Sequence, residues 1–216
     1  MSRRYSHLVW DWNGTLLDDA WLCVEITNRL LAEAGLPTID GVRYRQLFGF
    51  PLQDYTVKLG FAAADFVAVS DAFIAQYEAR RHQCALRAGA RQALETVRRA
   101  GLEQSVLSAY KQTTLDQVVE QRRLGPFFRR LIGVDNHLGL GKIENGRRWL
   151  KEMGWPPQEV VLAGDTLHDV EVAQAMGVHC LLIPSGHQSR QRLAAAGVAL
   201  VPDLTRLTTA VCGGKI

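Results

Sequence analysis

The chain has 216 residues, of which 47% are apolar and 22% are charged, and its formal net charge is +3. This length accommodates one large domain or a main domain with an insertion. The sequence contains no biased tract, no internal repeat and no apolar run long enough to cross a bilayer, which argues against fibrous, repeat and membrane-spanning proteins. The mild positive charge is compatible with an anionic ligand without requiring one.

The cysteines, arginines and N-terminus favour an ordinary cytoplasmic protein. The four cysteines form no CxxC pair and have no histidine at zinc-ligand spacing, which predicts free thiols. Arginine pairs recur along predicted helices without interleaved aromatic residues, a pattern typical of solvated helix faces rather than nucleic-acid binding. Residues 1–6 lack the apolar region of a signal peptide. We therefore expect neither a nucleic-acid nor a membrane partner; the sequence does not indicate an oligomeric state.

The first ordered stretch combines an apolar strand with polar turn residues. Leu8-Val9-Trp10 leads into Asp11 and then into Asn13-Gly14-Thr15, a turn composition. In open α/β sheets ligands bind at the carboxyl ends of the strands, so a carboxylate there predicts a phosphate or metal site. Taken alone, Asp11 is more typical of a turn or helix-capping residue.

Residues 18–87 are predicted to form an all-helical cap domain. Apolar residues at steps of four predict a helix after Asp19, which ends at Gly35 and Pro37. Further helices are predicted at 43–48, 52–59 and 62–81, and no segment between residues 19 and 81 has a strand pattern. Such an interval inside an alternating chain indicates an insertion.

The remaining segments, residues 1–17 and 88–216, are predicted to form an α/β core. Apolar segments at 105–107, 131–134, 160–163, 180–183 and 200–201 alternate with helical patterns. Strands that are continuously apolar indicate a parallel sheet covered by helices on both faces. The predicted fold is thus a doubly wound parallel sheet with an inserted helical cap.

Polar groups of complementary types follow four of the predicted strands. They are Asp11 with Asn13 and Thr15, then Ser108, the Gly141-Lys142 loop, and Asp165 with Asp169. Mg²⁺ prefers oxygen ligands and a lysine offsets phosphate charge, so this set suits Mg²⁺-dependent phosphoryl transfer. Catalysis in such a site depends mainly on positioning and charge stabilisation.

These motifs resemble those of the haloacid dehalogenase (HAD) superfamily, in particular phosphatases with a helical cap, such as phosphoglycolate phosphatases and β-phosphoglucomutases. Residues 11–15, DWNGT, match the first family motif, DxDGT, at every specified position but one. Ser108 matches the second motif, Lys142 the third, and residues 164–169, GDTLHD, the fourth, GDxxxD. The motifs occur in the family's order and span nearly the whole chain.

The resemblance implies a Mg²⁺-dependent phosphatase that acts on a small phosphorylated metabolite. Asp11 would be the nucleophile that forms an aspartyl-phosphate. Asp11, the backbone carbonyl of Asn13, and Asp165 would hold Mg²⁺, with Asp169 in the inner or outer shell. The implied catalytic residues are Asp11, Asn13, Ser108 and Lys142. The implied phosphate-binding residues are Gly14, Thr15, Ser108, Ala109 and Lys142.

Asn13 departs from the family pattern, which has an aspartate there as general acid and base. An amide cannot exchange a proton in this way at neutral pH. Three interpretations stay open: a substrate with a good leaving group, another acid such as His168 or a cap residue, or loss of turnover. The last would leave a catalytically weakened regulatory protein that binds phosphate and metal.

Single acids, lysines and histidines bear on the reaction type and on substrate contacts. A dehalogenase does not need the acids Asp165 and Asp169. A phosphonatase-like C–P hydrolase needs a cap lysine, and Lys58 is the only lysine between Asp11 and Ser108. Lys111 competes with Lys142 for the third motif, and Arg43, Arg45, Gln53 and Lys58 are possible cap contacts to substrate. Besides His168, the histidines are expected to be ordinary surface or core residues: His7, His82, His137, His179 and His187.

Overall fold

The computed structural model of the protein describes residues 5–136, 138–184 and 186–213. Residues 1–4, which entered the signal-peptide argument, and His137 lie outside this part of the chain. Within it, eight strands fall into a large sheet and a short ribbon. The strands are β1 (His7–Trp10), β2 (Leu17–Asp18), β3 (Ala85–Leu86), β4 (Glu103–Lys111), β5 (Arg130–Val134), β6 (Val160–Gly164), β7 (His179–Leu182) and β8 (Ala199–Leu200).

The helices lie in the cap interval, between successive strands of the large sheet, and after its last strand. The first four are α1 (Ala20–Glu33), α2 (Gly41–Leu47), α3 (Leu52–Lys58) and α4 (Phe66–Arg80). The other six are α5 (Ala90–Arg99), α6 (Gln112–Gln121), α7 (Lys142–Met153), α8 (Leu167–Met176), α9 (Arg190–Ala194) and α10 (Leu204–Gly213).

The large sheet is parallel throughout, with the strand order β5-β4-β1-β6-β7-β8. β1 lies between β4 and β6, and all four of its residues are buried. Leu8 and Trp10 belong to one apolar cluster and Val9 to another, because successive side chains of a strand point to opposite faces. Both faces are therefore covered, and the prediction of a doubly wound parallel sheet is confirmed.

The two-stranded ribbon connects the core to the cap helices. β2 pairs with β3 in antiparallel register, Leu17 opposite Leu86, so the chain leaves the core and returns to it at neighbouring points. The helices α1 to α4 occupy the interval between these two strands. We propose on this basis that residues 18–87 form the cap and that residues 1–17 and 88–216 form the core.

Several boundaries differ from the predictions where the motifs lie. Ser108 was placed after a strand, whereas β4 continues to Lys111 with a shift of register against β5 after Leu107. Such an irregularity lets a strand redirect side chains near its end. Lys142 was placed in a loop, but it is the first residue of α7.

The ribbon and α10 were not predicted. Two-residue strands are too short to show a periodic pattern. In α10, however, Leu204, Leu207, Thr208 and Val211 are buried at the spacing of one helix face, a signal that the sequence does contain. Among the described residues, no helix combines the length and apolar composition needed to cross a membrane.

Candidate active site

Asp11 lies immediately after β1, at the carboxyl edge of the sheet. Its backbone N–H donates to the carbonyl of Ala163 at 2.8 Å, which continues the pairing with β6. The turn that follows needs Gly14, whose φ is +76° and whose added Cβ would lie 2.3 Å from Asp165 Oδ2. The turn thus brings the first and fourth motifs into direct contact, which a side chain at residue 14 would prevent.

Lys142 connects Asp11 to Asp169. The Nζ atom of Lys142 is 2.7 Å from Asp11 Oδ1 and 2.6 Å from Asp169 Oδ1. All three side chains are buried. Because a buried ammonium requires anionic partners, this contact assigns Lys142 to the site. Lys111, its competitor in the sequence, lies at the end of β4 and does not line the site cavity.

The fourth motif supplies two further acids from the β6–α8 turn. Thr15 Oγ1 donates a hydrogen bond to Asp165 Oδ1 and to Asp11 Oδ2, each at 3.1 Å. Asp169 Oδ2 accepts hydrogen bonds from the backbone and the hydroxyl of Thr166 at 3.0 and 2.7 Å, which cap the start of α8. We call Asp11, Asp165, Asp169 and Lys142 the acidic floor.

The acidic floor contains three acidic side chains and one basic side chain, and all four are buried. Oxygen atoms of Asp11, Asp165 and Asp169 lie within 4.8 Å of one another. Burial raises the pKa of Asp11, and the nearby carboxylates add to this while Lys142 opposes it. Burial also raises the pKa of Asp165 to about 6. For Asp169, burial is outweighed by Lys142 and the hydrogen bonds from Thr166, which hold its pKa below the usual value.

Ser108 and Ala109 lie on the β4 side of the same cavity as the acidic floor. The Oγ atom of Ser108 accepts a hydrogen bond from the backbone N–H of Tyr110 at 3.1 Å, and the side chain is buried. The hydroxyl hydrogen remains able to donate, as binding of a phosphoryl oxygen would need. The structure thus brings the residues of all four motifs around one cavity.

Asn13 points its amide away from the acidic floor, toward the cap. Its Nδ2 atom donates to Asp19 Oδ2 at 2.8 Å and to Tyr77 Oη at 2.9 Å. Tyr77 also donates to Asp19 at 2.7 Å, and the backbone N–H of Gly14 donates to the other Asp19 oxygen at 2.9 Å. A carboxylate at residue 13 would face the buried Asp19 carboxylate, so the amide is matched to this neighbour.

His187 is a site residue that the sequence analysis missed. It was expected to be ordinary, but it is buried, its Nε2 atom is 3.3 Å from Asp19 Oδ1, and its backbone N–H donates to Asp165 Oδ2. Burial opposes its charge, yet Asp19 outweighs this and raises the pKa of His187 to about 9. One feature of the sequence could have identified His187 as a site residue. It follows an apolar strand, in a Gly-His pair, and so lies at the same edge of the sheet as the other motifs.

The other polar residues that the sequence analysis named, His168 and the four possible cap contacts, differ in their position relative to the site cavity. His168 lines the cavity, stacks on Phe50 at 4.5 Å and lies 2.9 Å from Glu171. None of the four possible cap contacts lines the cavity: Arg43, Arg45, Gln53 and Lys58. Arg45, for example, donates to the carbonyls of Gly186 and Gly41. Long polar side chains on short surface helices give no sign of their direction in the sequence alone.

Comparison with known proteins agrees with the fold and the motifs described above. The family model of the haloacid dehalogenase-like hydrolases matches residues 8–183. The chain belongs to this family. The match confirms the resemblance found in the motifs and the predicted α/β fold.

Relatives of the HAD chain come from several bacteria. A phosphoglycolate phosphatase of Pseudomonas putida KT2440 is 25% identical over 214 residues, which cover 95% of this chain and 79% of the relative. The crystal structure of a predicted phosphatase from Clostridium acetobutylicum has a TM-score of 0.84 at 18% identity and covers 98% of this chain and 100% of its own. The protein tyrosine kinase A of Mycobacterium tuberculosis has a TM-score of 0.81 at 21% identity, with 97% and 99% covered. The expected enzyme class, a HAD-type phosphatase, agrees with the first two names.

Proposed function

We propose that the chain is a Mg²⁺-dependent phosphatase that acts on a small phosphorylated substrate through an aspartyl-phosphate on Asp11. The observation that carries this proposal is the position of the Asp11 carboxylate. It is held by hydrogen bonds from Lys142 and Thr15, and it lines the site cavity. The relatives named phosphoglycolate phosphatase support the reaction class.

The donor set of the acidic floor fits a divalent cation. Asp11, Asp165 and Asp169 offer only oxygen, the element that Mg²⁺ prefers, and one ammonium does not balance three carboxylates. Since Asp11, Asn13 and Asp165 line the cavity and Asp169 does not, Asp11 and Asp165 with the backbone carbonyl of Asn13 would hold the ion. Mg²⁺ bound there supplies the positive charge that lets a phosphate dianion approach a carboxylate.

Two displacements at phosphorus complete the proposed reaction. A carboxylate oxygen of Asp11 forms a bond to phosphorus while the bond to the leaving oxygen breaks; that oxygen keeps the electron pair and gains a proton. Water then attacks phosphorus, loses a proton and displaces Asp11, which releases inorganic phosphate. Lys142 and the Ser108 hydroxyl stabilise charge on the phosphoryl oxygens in both steps.

Asn13 makes leaving-group quality important in this reaction. Its amide donates to Asp19 and Tyr77 and cannot protonate a departing alcohol. General acid catalysis contributes roughly 10²- to 10⁴-fold, so substrates that leave without protonation should depend less on this loss.

The first experiment measures hydrolysis of acetyl phosphate and p-nitrophenyl phosphate with and without Mg²⁺. We expect turnover of both that requires Mg²⁺ and falls at least ~10³-fold in Asp11→Asn, because the nucleophile is lost. Asp18→Asn, a change of an exposed acid on β2, is the matched control and should leave the rates unchanged. Equal rates in wild type and Asp11→Asn would contradict the proposal.

The same experiment tests the regulatory alternative, and the position of Lys58 bears on the phosphonatase alternative. A regulatory protein without turnover would bind phosphate and Mg²⁺ but hydrolyse neither compound. A phosphonatase would need Lys58 in the cavity, whereas Lys58 is exposed on α3 and does not line it. No observation on the described residues therefore favours C–P bond cleavage.

A further inference from the structure

The cap side of the site cavity is apolar and aromatic. The cavity measures about 160 Å³ and opens from the acidic floor toward α3 and α4. Four side chains from the cap line it and also line a second cavity of about 110 Å³ inside the cap. We call these four residues, Phe48, Leu52, Phe73 and Ile74, the apolar wall. Tyr77 stacks on Phe73 with 6.1 Å between ring centres and extends this surface toward Asn13.

The second cavity shows that the apolar character does not end at the wall. Its other described lining residues are mostly apolar or aromatic, with two threonines and a serine among them: Leu30, Tyr55, Leu59, Phe61 and Val69, with Thr27, Thr56 and Ser70. Apolar cavities of about 150 Å³ in protein interiors hold a benzene molecule, so the two spaces have the scale of a single ring or a short alkyl chain. Water gains few hydrogen-bond partners there, which favours filling by an apolar group.

Positive charge around the cavity is already paired within the described residues. The lining side chains with a basic nitrogen are Lys142, His187 and His168, and the described lining contains no arginine. Their partners are Asp11 and Asp169 for Lys142, Asp19 for His187, and Glu171 for His168. A carboxylate on the leaving group would lose its water without gaining a new ion pair, which costs several kcal/mol per ion.

We propose that the substrate is a phosphomonoester whose leaving group is uncharged and apolar, an aromatic ring or a short alkyl chain that packs against the apolar wall. The proposal rests on the phosphatase function and assigns its substrate class. It separates the chain from the relatives named phosphoglycolate phosphatase, because glycolate carries a carboxylate that the apolar wall does not accommodate. The phosphoryl group lies on the acidic floor, and the cap selects the rest of the molecule.

The test compares kcat/KM for a series of linear alkyl phosphates, benzyl phosphate and 2-phosphoglycolate at saturating Mg²⁺. All are esters of primary alcohols, so differences report mainly on the cap side. We expect kcat/KM to rise up to about fourfold per methylene buried along the series. Benzyl phosphate should exceed 2-phosphoglycolate at least ~10-fold. A flat series, or faster hydrolysis of 2-phosphoglycolate, overturns the proposal.

A pair of variants checks that the apolar wall causes the selectivity. Leu52→Arg adds a cation to the wall, whereas Val57→Arg adds one on an exposed part of the same helix that lines neither cavity. Leu52→Arg should lower kcat/KM for benzyl phosphate about 10-fold and raise that for 2-phosphoglycolate. Val57→Arg should change neither value. An unchanged ratio of the two in Leu52→Arg would contradict the assignment of the wall.

Binding separates a failure of this proposal from a failure of the phosphatase function. Calorimetry with Mg²⁺ present would compare benzylphosphonate and phosphonoacetate, two non-ester phosphonates that differ in the apolar or charged group. Tighter binding of benzylphosphonate supports the substrate class even if acetyl phosphate is not hydrolysed. Tighter binding of phosphonoacetate overturns it, whatever the turnover.

Discussion

The acidic floor and the apolar wall stand on opposite sides of one cavity and depend on opposite physics. On the floor, three buried carboxylates lie close together, two of them contact one ammonium, and each charge is positioned by hydrogen bonds of fixed direction. On the wall, four apolar side chains from the cap provide area and shape without directed bonds. The arrangement of the floor is suited to one reaction. The ligand preference of the wall, in contrast, can be changed by substitution of a single side chain. Chemistry and specificity are thus separated between core and cap.

The largest expected effect comes from Asp165, the floor acid that accepts hydrogen bonds from Thr15 and from the backbone of His187. Asp165→Asn removes one of the two carboxylates proposed to hold Mg²⁺, while Thr15 can still donate to the new amide oxygen. We expect kcat/KM to fall at least ~10²-fold and the Mg²⁺ concentration at half-maximal activity to rise, since an amide is a weaker ligand. Asp116→Asn, a change of an exposed acid on α6, is the control for a Mg²⁺ titration of activity. An unchanged titration curve would remove Asp165 from the metal site.

Lys142 tests whether the floor depends on charge balance. Lys142→Ala leaves Asp11 and Asp169 buried without their common cation, which costs about 3 kcal/mol of folding stability and about 10²-fold in kcat. For a chain of this size the melting temperature should fall by roughly 6–12 °C in EDTA. Lys151→Ala, an exposed lysine at the end of the same helix, should change neither value. A melting temperature that matches Lys151→Ala would show that the ammonium does not stabilise the floor.

Asn13 lies where the floor meets the cap, and its match to Asp19 can be measured as a coupling energy. Asn13→Asp places a second carboxylate against Asp19, so we expect a loss of about 2 kcal/mol in urea unfolding. Asp19→Asn in the Asn13→Asp background should recover at least ~1 kcal/mol of that loss, because the like charges are gone. Additive effects of the two changes would show that residues 13 and 19 do not interact.

The last expected effect is the pH dependence that His187 gives to stability. Asp19 raises the folded-state pKa of His187 to about 9, above its ordinary value of 6.5. The pair therefore stabilises the fold fully below pH 6.5, and this contribution is lost as the pH rises toward 9. In EDTA, wild type should lose on the order of 1–3 kcal/mol more than His187→Gln between these pH values. Parallel stability curves for the two proteins would mean that His187 is neutral in the fold.

The sequence was sufficient for the fold and for most of the floor, because both depend on local patterns. Apolar strands that end in a polar turn are visible as strings of letters, and parallel strands must bring their carboxyl ends to one edge. The floor residues Asp11, Lys142, Asp165 and Asp169 could therefore be singled out before their contacts were known. Asp19 and His187 could not, since their pairing joins the start of the cap to the loop after β7.

The apolar wall was beyond reach of the sequence for a different reason. Phe48, Leu52, Phe73 and Ile74 belong to a cap in which many apolar residues are equally good candidates for the interior. Which of them face the cavity depends on helix rotation and packing, which periodicity alone does not determine. The polar cap residues chosen from the sequence do not line the cavity, because charge marks a surface as readily as a binding site.

The most direct test of the account is chemical identification of the phosphorylated residue. The protein would be mixed with acetyl phosphate and Mg²⁺, quenched with acid, and treated with borohydride, which reduces an aspartyl-phosphate to homoserine. Peptide mass spectrometry should find homoserine at residue 11 in the wild type and none in Asp11→Asn. Homoserine at another aspartate, or steady turnover with no modified residue 11, would contradict a reaction centred on Asp11.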